Sequence, residues 1–566
     1  MQVWKRLRFT VSLAAIALTL AACETNTVDL GDNGGGGGNE LPPPAGLAAV
    51  AQPNNTVDVT WGTVPGATSY RLERTASSSP GVFTPVGGDL TAVTFVDTDI
   101  QAGITYGYRV AAANLDGVGD FSNAVTVGIS GPRVATLSGI LTSSRTLFSD
   151  TTYTLSGYVK VANNSVLTVQ PGTLVVGDFN VPGSSLWILR GSRIEANGTA
   201  AAPIVFTSSR ADGSRKPGDW GGIIIVGNGI INRTATTILT EGPAGVGENY
   251  AGGTNNADNS GTLRYVRVEF AGYDVSGGAG QELNAISMYA VGSGTVLEYV
   301  ETLAGLDDSF EWWGGAVSGR YLVSYESGDD HFDWSEGYRG KNQFLIAYQS
   351  TRLTPEPGRG GNSTDPQAFE ADGCGTSGAS CSAGFDSQPF SVPVFANFTL
   401  IGVGTIAPRV PAGDVGMVLR RGTGGYISNG IVARWPGQGI SIRDASTNSR
   451  WTTDSLNVAN ILYAENGSNF DPDASANFGK AALFAGQNAV TAAGTAASLF
   501  QSLDPANFDW RPVGGSPAAT GANVITIPSP YADNFFGGTI QTTTYFGAAD
   551  PAGADWWAGW TRYDTN

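Results

Sequence analysis

The chain reads as all-β: a small antiparallel sandwich followed by a long solenoid of β-coils. Three observations predict this. Asp307-Asp308-Ser309-Phe310-Glu311-Trp312 returns as Asp329-Asp330-His331-Phe332-Asp333-Trp334 at an offset of 22 residues. A period just above 20, among short Val/Ile/Leu runs and many glycines, is what stacked coils leave in a sequence. Val57-Asp58-Val59-Thr60-Trp61, Tyr70-Arg71-Leu72-Glu73-Arg74 and Tyr106 to Ala112 alternate with period two between Pro, Gly and Asn turns, as sandwich strands do. Convincing helical periodicity is scarce throughout.

The elements follow in order. Lys5, Arg6 and Arg8 precede an apolar run from Val11 to Leu20 and then Ala21-Ala22-Cys23. A basic stretch, a short apolar run and small residues describe a secretory signal over residues 1–22, and the run is too short for a spanning helix. Leu20-Ala21-Ala22-Cys23 resembles the lipobox of bacterial lipoproteins. The resemblance implies cleavage before Cys23 and its diacylation. With Glu24 rather than Asp behind the cysteine, it favours the outer membrane, on its periplasmic face or at the cell surface. Residues 23–42 contain Gly34 to Gly38 and reach Pro42, a composition that cannot offset its own ordering entropy and reads as a flexible tether.

Residues 43–130 form the sandwich. Trp61, Tyr70, the Tyr106-x-Tyr108-x-Val110-x-Ala112-x-Asn114 strand and the turn from Gly117 to Ser122 resemble a fibronectin type III domain, which implies a spacer or docking role without chemistry. Residues 137–549 form the solenoid. Val169-Gln170-Pro171-Gly172-Thr173, Pro203-Ile204-Val205-Phe206-Thr207-Ser208, Asp219-Trp220-Gly221-Gly222, Asp258 to Leu263 and Asp307 to Glu311 resemble a family of bacterial secreted and lipoprotein right-handed parallel β-helices, pectin-lyase-like in fold and without a settled activity. Asn507 to Pro512 and Gly515 to Ala518 resemble the closing coil of such helices. Residues 550–566 carry Trp556-Trp557-Ala558-Gly559-Trp560, expected to cap the open end, where a last coil exposes edge and core.

Composition limits the partners. Loss of the leader removes three basic residues and no acid, leaving 28 Lys and Arg against 49 Asp and Glu, a formal charge of −21. Such a chain lacks the cations that neutralise nucleic-acid phosphates, and it does not suit docking on anionic lipid. Of three cysteines, Cys374 and Cys381 lie seven apart and are expected to pair in an exported compartment; two thiols without a nearby His are too few for zinc.

The chemistry sits on the repeat. In stacked parallel coils, residues of equal phase lie about 4.8 Å apart. The 22-residue register then stacks Phe310 on Phe332 and Trp312 on Trp334, and pairs Asp307 with Asp329, Asp308 with Asp330 and Glu311 with Asp333. Glu370 and Asp372 are placed to join this face on a later coil. Three readings stand. Asp307, Asp308, Asp329, Asp330 and Asp333 hold Ca²⁺ through hard oxygen ligands; or paired carboxylates perform glycosidase chemistry; or the acids are solvated and cap turn N–H groups. Trp313, Trp334 and Tyr338, with Glu311, are candidates for contact with a sugar. The catalytic reading lacks its motifs. Gly328-Asp329-Asp330 resembles the Asp-Asp segment of polygalacturonase-type hydrolases, but their Gly-His-Gly and Arg-Ile-Lys motifs are absent. The one histidine, His331, is expected to be a hydrogen-bonded turn residue, and no lyase motif surrounds Arg320 or Arg339. The function expected is a non-enzymatic envelope lipoprotein that binds a glycan or partner protein, with Ca²⁺ organising its acidic coils. A polysaccharide lyase or hydrolase, and a purely structural component, are the alternatives.

Overall fold

The computed structural model describes residues 41–52, 56–131, 133–274, 281–374, 381–404, 410–471, 490–491, 495–522 and 527–564. Two compact units divide near residue 130.

The first unit is a sandwich of two antiparallel sheets. Ala48–Ala51, Val57–Thr60 and Thr94–Asp97 make one; Ser79–Leu90, Ser69–Ala76, Thr105–Asn114 and Gly117–Phe121 make the other, with Val125–Gly128 pairing onto Thr105–Asn114. Alternation drives the packing. Val57, Val59, Trp61, Tyr70, Leu72, Tyr108 and Val110 point inward and are buried. Trp61 meets Tyr70 edge-on at 5.7 Å. The buried Asp97 is satisfied by the Tyr108 hydroxyl at 2.7 Å and by Arg74 at 2.9 Å, as a charge taken out of water requires.

The second unit is a parallel β-helix, a 24-stranded sheet from Arg133–Leu141 to Val490–Thr491. The expected register is present: Phe310 pairs with Phe332, Glu311 with Asp333 and Trp312 with Trp334. Strand parity fixes the faces. Phe310, Trp312, Phe332 and Trp334 point into one continuous core, while Glu311 and Asp333 point out of it. The acidic column continues through Glu370, which pairs with Asp333.

A second column contains longer strands that bend at a left-handed residue. Tyr265, Tyr299, Tyr321, Phe344, Asn397, Asn429 and Asn460 occupy this corner with φ between 48° and 65°. Asn tolerates this conformation through local hydrogen bonds. The aromatic residues are compensated by stacking: Tyr265 on Tyr299 at 4.4 Å, Tyr299 on Tyr321 at 4.5 Å and Tyr321 on Phe344 at 5.1 Å.

Two expectations about the C-terminal part require correction. Among the described residues parallel pairing ends at Thr491, and residues 500–522 and 527–549 add no strand to the parallel sheet. The segment expected to close the helix forms an antiparallel pair, Phe500–Ser502 with Asp509–Pro512, and a short helix, Pro517–Thr520. The terminal tryptophans lie along the side of the helix and do not plug its end. Trp560 packs edge-on against Tyr265 and Tyr299, and Trp556 against Tyr321. The Arg562 N–H donates to both Glu301 oxygens, at 3.1 and 2.9 Å.

Candidate functional site

The acidic columns border a cleft of about 790 Å³. Three successive coils supply Asp307, Asp308 and Glu311, then Asp329, Asp330 and Asp333, then Glu370 and Asp372. Glu241, from a segment between coils, and Asp274 and Glu282, which face each other in a short antiparallel pair, complete the wall, and Gly358 and residues 360–364 cover one side. Among the described residues eleven carboxylates thus line one cleft with a single lining cation, Arg421. Gly328 sets up the second Asp-Asp step, because a Cβ there would lie 1.8 Å from the Leu306 carbonyl oxygen. Gly360 keeps the cover close: at φ +124° its Cα faces Asp274, and a Cβ would come within 2.7 Å of it.

Some of the acids are structural. The Asp308 carboxylate accepts from the Asp330 N–H at 2.9 Å, and Asp330 accepts in turn from the Gln367 N–H. Asn284 continues the series backward, its amide oxygen accepting from the Asp308 N–H at 3.2 Å and its amide nitrogen donating to Glu311. One oxygen of Asp308 and one of Asp330 therefore cap the next coil, the turn-capping role expected from sequence.

The remaining oxygens are not so satisfied. Asp333 is only 8% exposed, and its Oδ1 is buried without a hydrogen-bond partner, as is Asp329 Oδ1. Burial, and then the neighbouring Asp372, push Asp333 from 3.8 up to about 8. Burial likewise lifts Asp329 to about 7. Burial and adjoining carboxylates raise Asp307, Asp308, Glu311, Asp330 and Glu370 well above the ordinary range. Seven of these carboxylates fall into three cation-sized clusters whose oxygens lie within 4.8 Å of one another: Asp307, Asp308 and Asp329; Asp308, Glu311 and Asp333; Asp330, Asp333 and Glu370. An all-oxygen donor set of this kind suits Ca²⁺, which takes six to eight oxygens in flexible geometry.

Cations close one end. Arg420 reaches Glu370 at 2.6 Å and Asp372 at 3.0 Å, and Arg421 reaches Asp372 at 2.5 Å. Trp313 stands at another wall, half-buried and stacked on Tyr289 at 5.4 Å.

Not every expected residue is here. Trp334 and Tyr338 are core residues, fully buried, and correct the expectation that they face a ligand. Trp334 stacks on Phe395 at 4.5 Å, and the Tyr338 hydroxyl donates to the Val317 carbonyl at 2.8 Å. Parity explains this, since Trp334 shares the inward phase of Phe332. Trp313 and Glu311 do line the cleft. His331 is buried, with Nδ1 2.6 Å from the Ser324 hydroxyl, and burial lowers it to about 3. Arg320 pairs with Glu298, and Arg339 donates to the Phe390 carbonyl at 3.3 Å; neither lines the cleft. Cys374 and Cys381 are joined in a disulfide. Cys23 lies outside the described residues. Sequence reasoning missed Glu241, Asp274, Glu282, Arg420 and Arg421. Of these, only Arg420 had a signal, two residues past the column position of Val418, which pairs with Glu370.

An all-β chain with a small sandwich and a long parallel β-helix bearing a polar lateral cleft is the class these observations define. The chain belongs to the pectate-lyase-like β-helix domain family, whose model matches residues 139–502. The first unit is Fn3-like. Similar solved structures include an Fn3-like protein from Clostridium thermocellum, at 29% identity over 17% of this chain and 97% of that one, with a TM-score of 0.15. The FN5 domain of Drosophila Lar is 25% identical over 16% of this chain and 98% of that one, with a TM-score of 0.14. A beta-1,2-glucanase from Parabacteroides distasonis is 19% identical over 16% of this chain and 13% of that one, with a TM-score of 0.14. No curated protein matches the chain.

Proposed function

We propose that the chain is an outer-membrane lipoprotein, anchored through Cys23, whose β-helix holds Ca²⁺ in the acidic cleft and through it binds a glycan or a partner protein of the envelope. The observation that carries this reading is the buried, unpartnered Asp333 Oδ1 among carboxylates grouped at cation spacing. A buried carboxylate without a partner is costly, and a divalent cation removes that cost. The residues that would hold Ca²⁺ are those of the three clusters, with Asp308 and Asp330 positioned by the backbone N–H groups they cap. Trp313 supplies a ring face for sugar C–H groups.

An enzyme reading has one favourable observation. Glu311 and Asp333 lie on adjacent coils with Asp333 held at about 8, a carboxyl that carries a proton at neutral pH. A lyase on this surface would need a free basic group, and Arg420 and Arg421 are engaged by Glu370 and Asp372. Binding without cleavage therefore ranks first.

The test is a glycan array and a product-release screen on the same full-length protein, with Ca²⁺ and with chelator. Ca²⁺-dependent binding without product supports the proposal. Product release moves the chain to the enzyme reading, and neither binding nor product leaves a structural component. Replacing Cys23 by Ser should release the protein from membranes, and undiminished retention would remove the anchor.

A further inference from the structure

The β-helix has a second pocket, of about 280 Å³, and its lining is cationic. Arg215, Lys216 and Arg352 line it, and among the described residues no carboxylate does. In a chain of formal charge −18, a cavity walled by three cations and no acid is not an average piece of surface. The pocket is separate from the acidic cleft, since no residue lines both.

The counter-charges of these cations lie outside the lining. Arg352 Nη2 donates to both oxygens of the buried Asp414 at 2.5 Å. Lys216 Nζ lies 3.4 Å from Glu356, and Arg215 lies 3.4 Å from Asp212 and 3.7 Å from Glu269. Among the described residues, Arg352 Nε and Nη1 make no hydrogen bond, and Glu356 is the one partner of Lys216 Nζ. Two charged groups therefore keep donors for an acceptor that enters the pocket.

Those donors set the ligand. Charge-assisted hydrogen bonds to a carboxylate are the strong ones, and its two oxygens serve two cations at once. Each cation already has an acid near it, so a dianion would meet Asp414, Glu356 and Glu269 as well, and a single negative charge fits better. The rest of the lining is apolar: Pro217, Ala304 and Leu353 are all buried side chains. The volume is several times that of a carboxylate, a group about the size of two waters at about 30 Å³ each. An aliphatic body on that wall gains from leaving water, whereas a polyhydroxylated one would set hydroxyls against it without partners.

We propose that this pocket is a binding site for a small aliphatic carboxylate, one oxygen on Arg352 and the other on Lys216, with its chain against Pro217, Ala304 and Leu353. The site works independently of any cation in the cleft.

The experiment is calorimetry on the full-length protein in chelator, with butyrate, gluconate, inorganic phosphate and butyramide as probes. Butyrate should bind, gluconate and phosphate at least fivefold more weakly, and butyramide not detectably. Amide hydrogen exchange should slow at residues 215–217 and 351–354 when butyrate is present. Lys216→Gln, at a side chain 39% exposed, should weaken butyrate about tenfold. Arg352→Lys should do the same, because its ammonium is taken up by Asp414, which keeps its partner and so protects the fold. Glu356→Gln should tighten binding, since it removes the acid that competes for Lys216. Absence of butyrate binding, or undiminished binding in both cation variants, overturns the site. Phosphate or gluconate bound as tightly as butyrate overturns the ligand class, and butyramide bound as tightly overturns the role of the charges.

Discussion

Removing divalent cations should make the stability of this protein fall with rising pH, and Ca²⁺ should cancel the fall. Burial holds Asp333 up to about 8 and Asp329 up to about 7, against an ordinary value of 3.8. Carboxyls raised in the folded state stabilise it while protonated. Their contribution is complete below about pH 4 and is lost as pH rises through about 7 to 8, because the unfolded chain ionises freely. At about 1.4 kcal/mol for each pH unit, Asp333 alone costs roughly 4 kcal/mol over the three units from about pH 5 to about 8. A unit of this size unfolds with an entropy that converts 1 kcal/mol into about 1 °C, so the melting temperature should drop on the order of 4 °C between about pH 5 and pH 9 in chelator. Bound Ca²⁺ makes the ionised form the favoured one and adds stability by mass action. The assay is a series of thermal melts across that range, with chelator and with Ca²⁺. Coincident curves at every pH would refute the claim that the cleft is a cation site. A chelated protein that gains stability towards alkaline pH would refute the burial argument itself.

Three other outcomes are expected. Asp330→Asn keeps an oxygen for the Gln367 N–H but removes a charge, so it should leave the chelated protein as stable or slightly more so and remove the part of the Ca²⁺ response that the cluster of Asp330, Asp333 and Glu370 supplies. Trp334→Ala should cost about 3–5 kcal/mol in denaturant unfolding, as loss of a buried Trp does, whereas Trp313→Ala should weaken Ca²⁺-dependent glycan binding with little change in stability. Replacing both Cys374 and Cys381 by Ser should cost no more than about 2–3 kcal/mol, because the loop they close is short, and the Ca²⁺ response should survive.

The fold was legible where coils follow one another without insertion. The step from Phe310 to Phe332 is 22 residues, and a repeat search finds it. The next partner of Phe332 is Phe369, 37 residues on, and the partner of Phe369 is Met417, 48 on. Loops placed between those coils carry the same structural register past any fixed sequence period. The C-terminal seat was hidden for another reason. Its platform consists of tyrosines at left-handed corners, and nothing in the local pattern around Tyr265 or Tyr299 distinguishes a corner from a straight strand. The seat of Trp556 and Trp560 is Tyr265, Tyr299 and Tyr321, residues from three separate strands that only the folded chain brings together.

The site divides along the same line. The stacked acids could be named because they share the repeat, and parity alone could have separated Trp313, in phase with Glu311, from Trp334, in phase with Phe332. Glu241, Asp274 and Glu282 come from excursions between coils, where no periodicity assigns a face, so only the folded chain brings them to the cleft. Those three matter beyond their number. A solenoid repeats its surface from coil to coil, and specificity needs something that does not repeat. In this chain the repeating column groups carboxylates at cation spacing, and the segments between coils add Glu241, Asp274 and Glu282 to the same cleft.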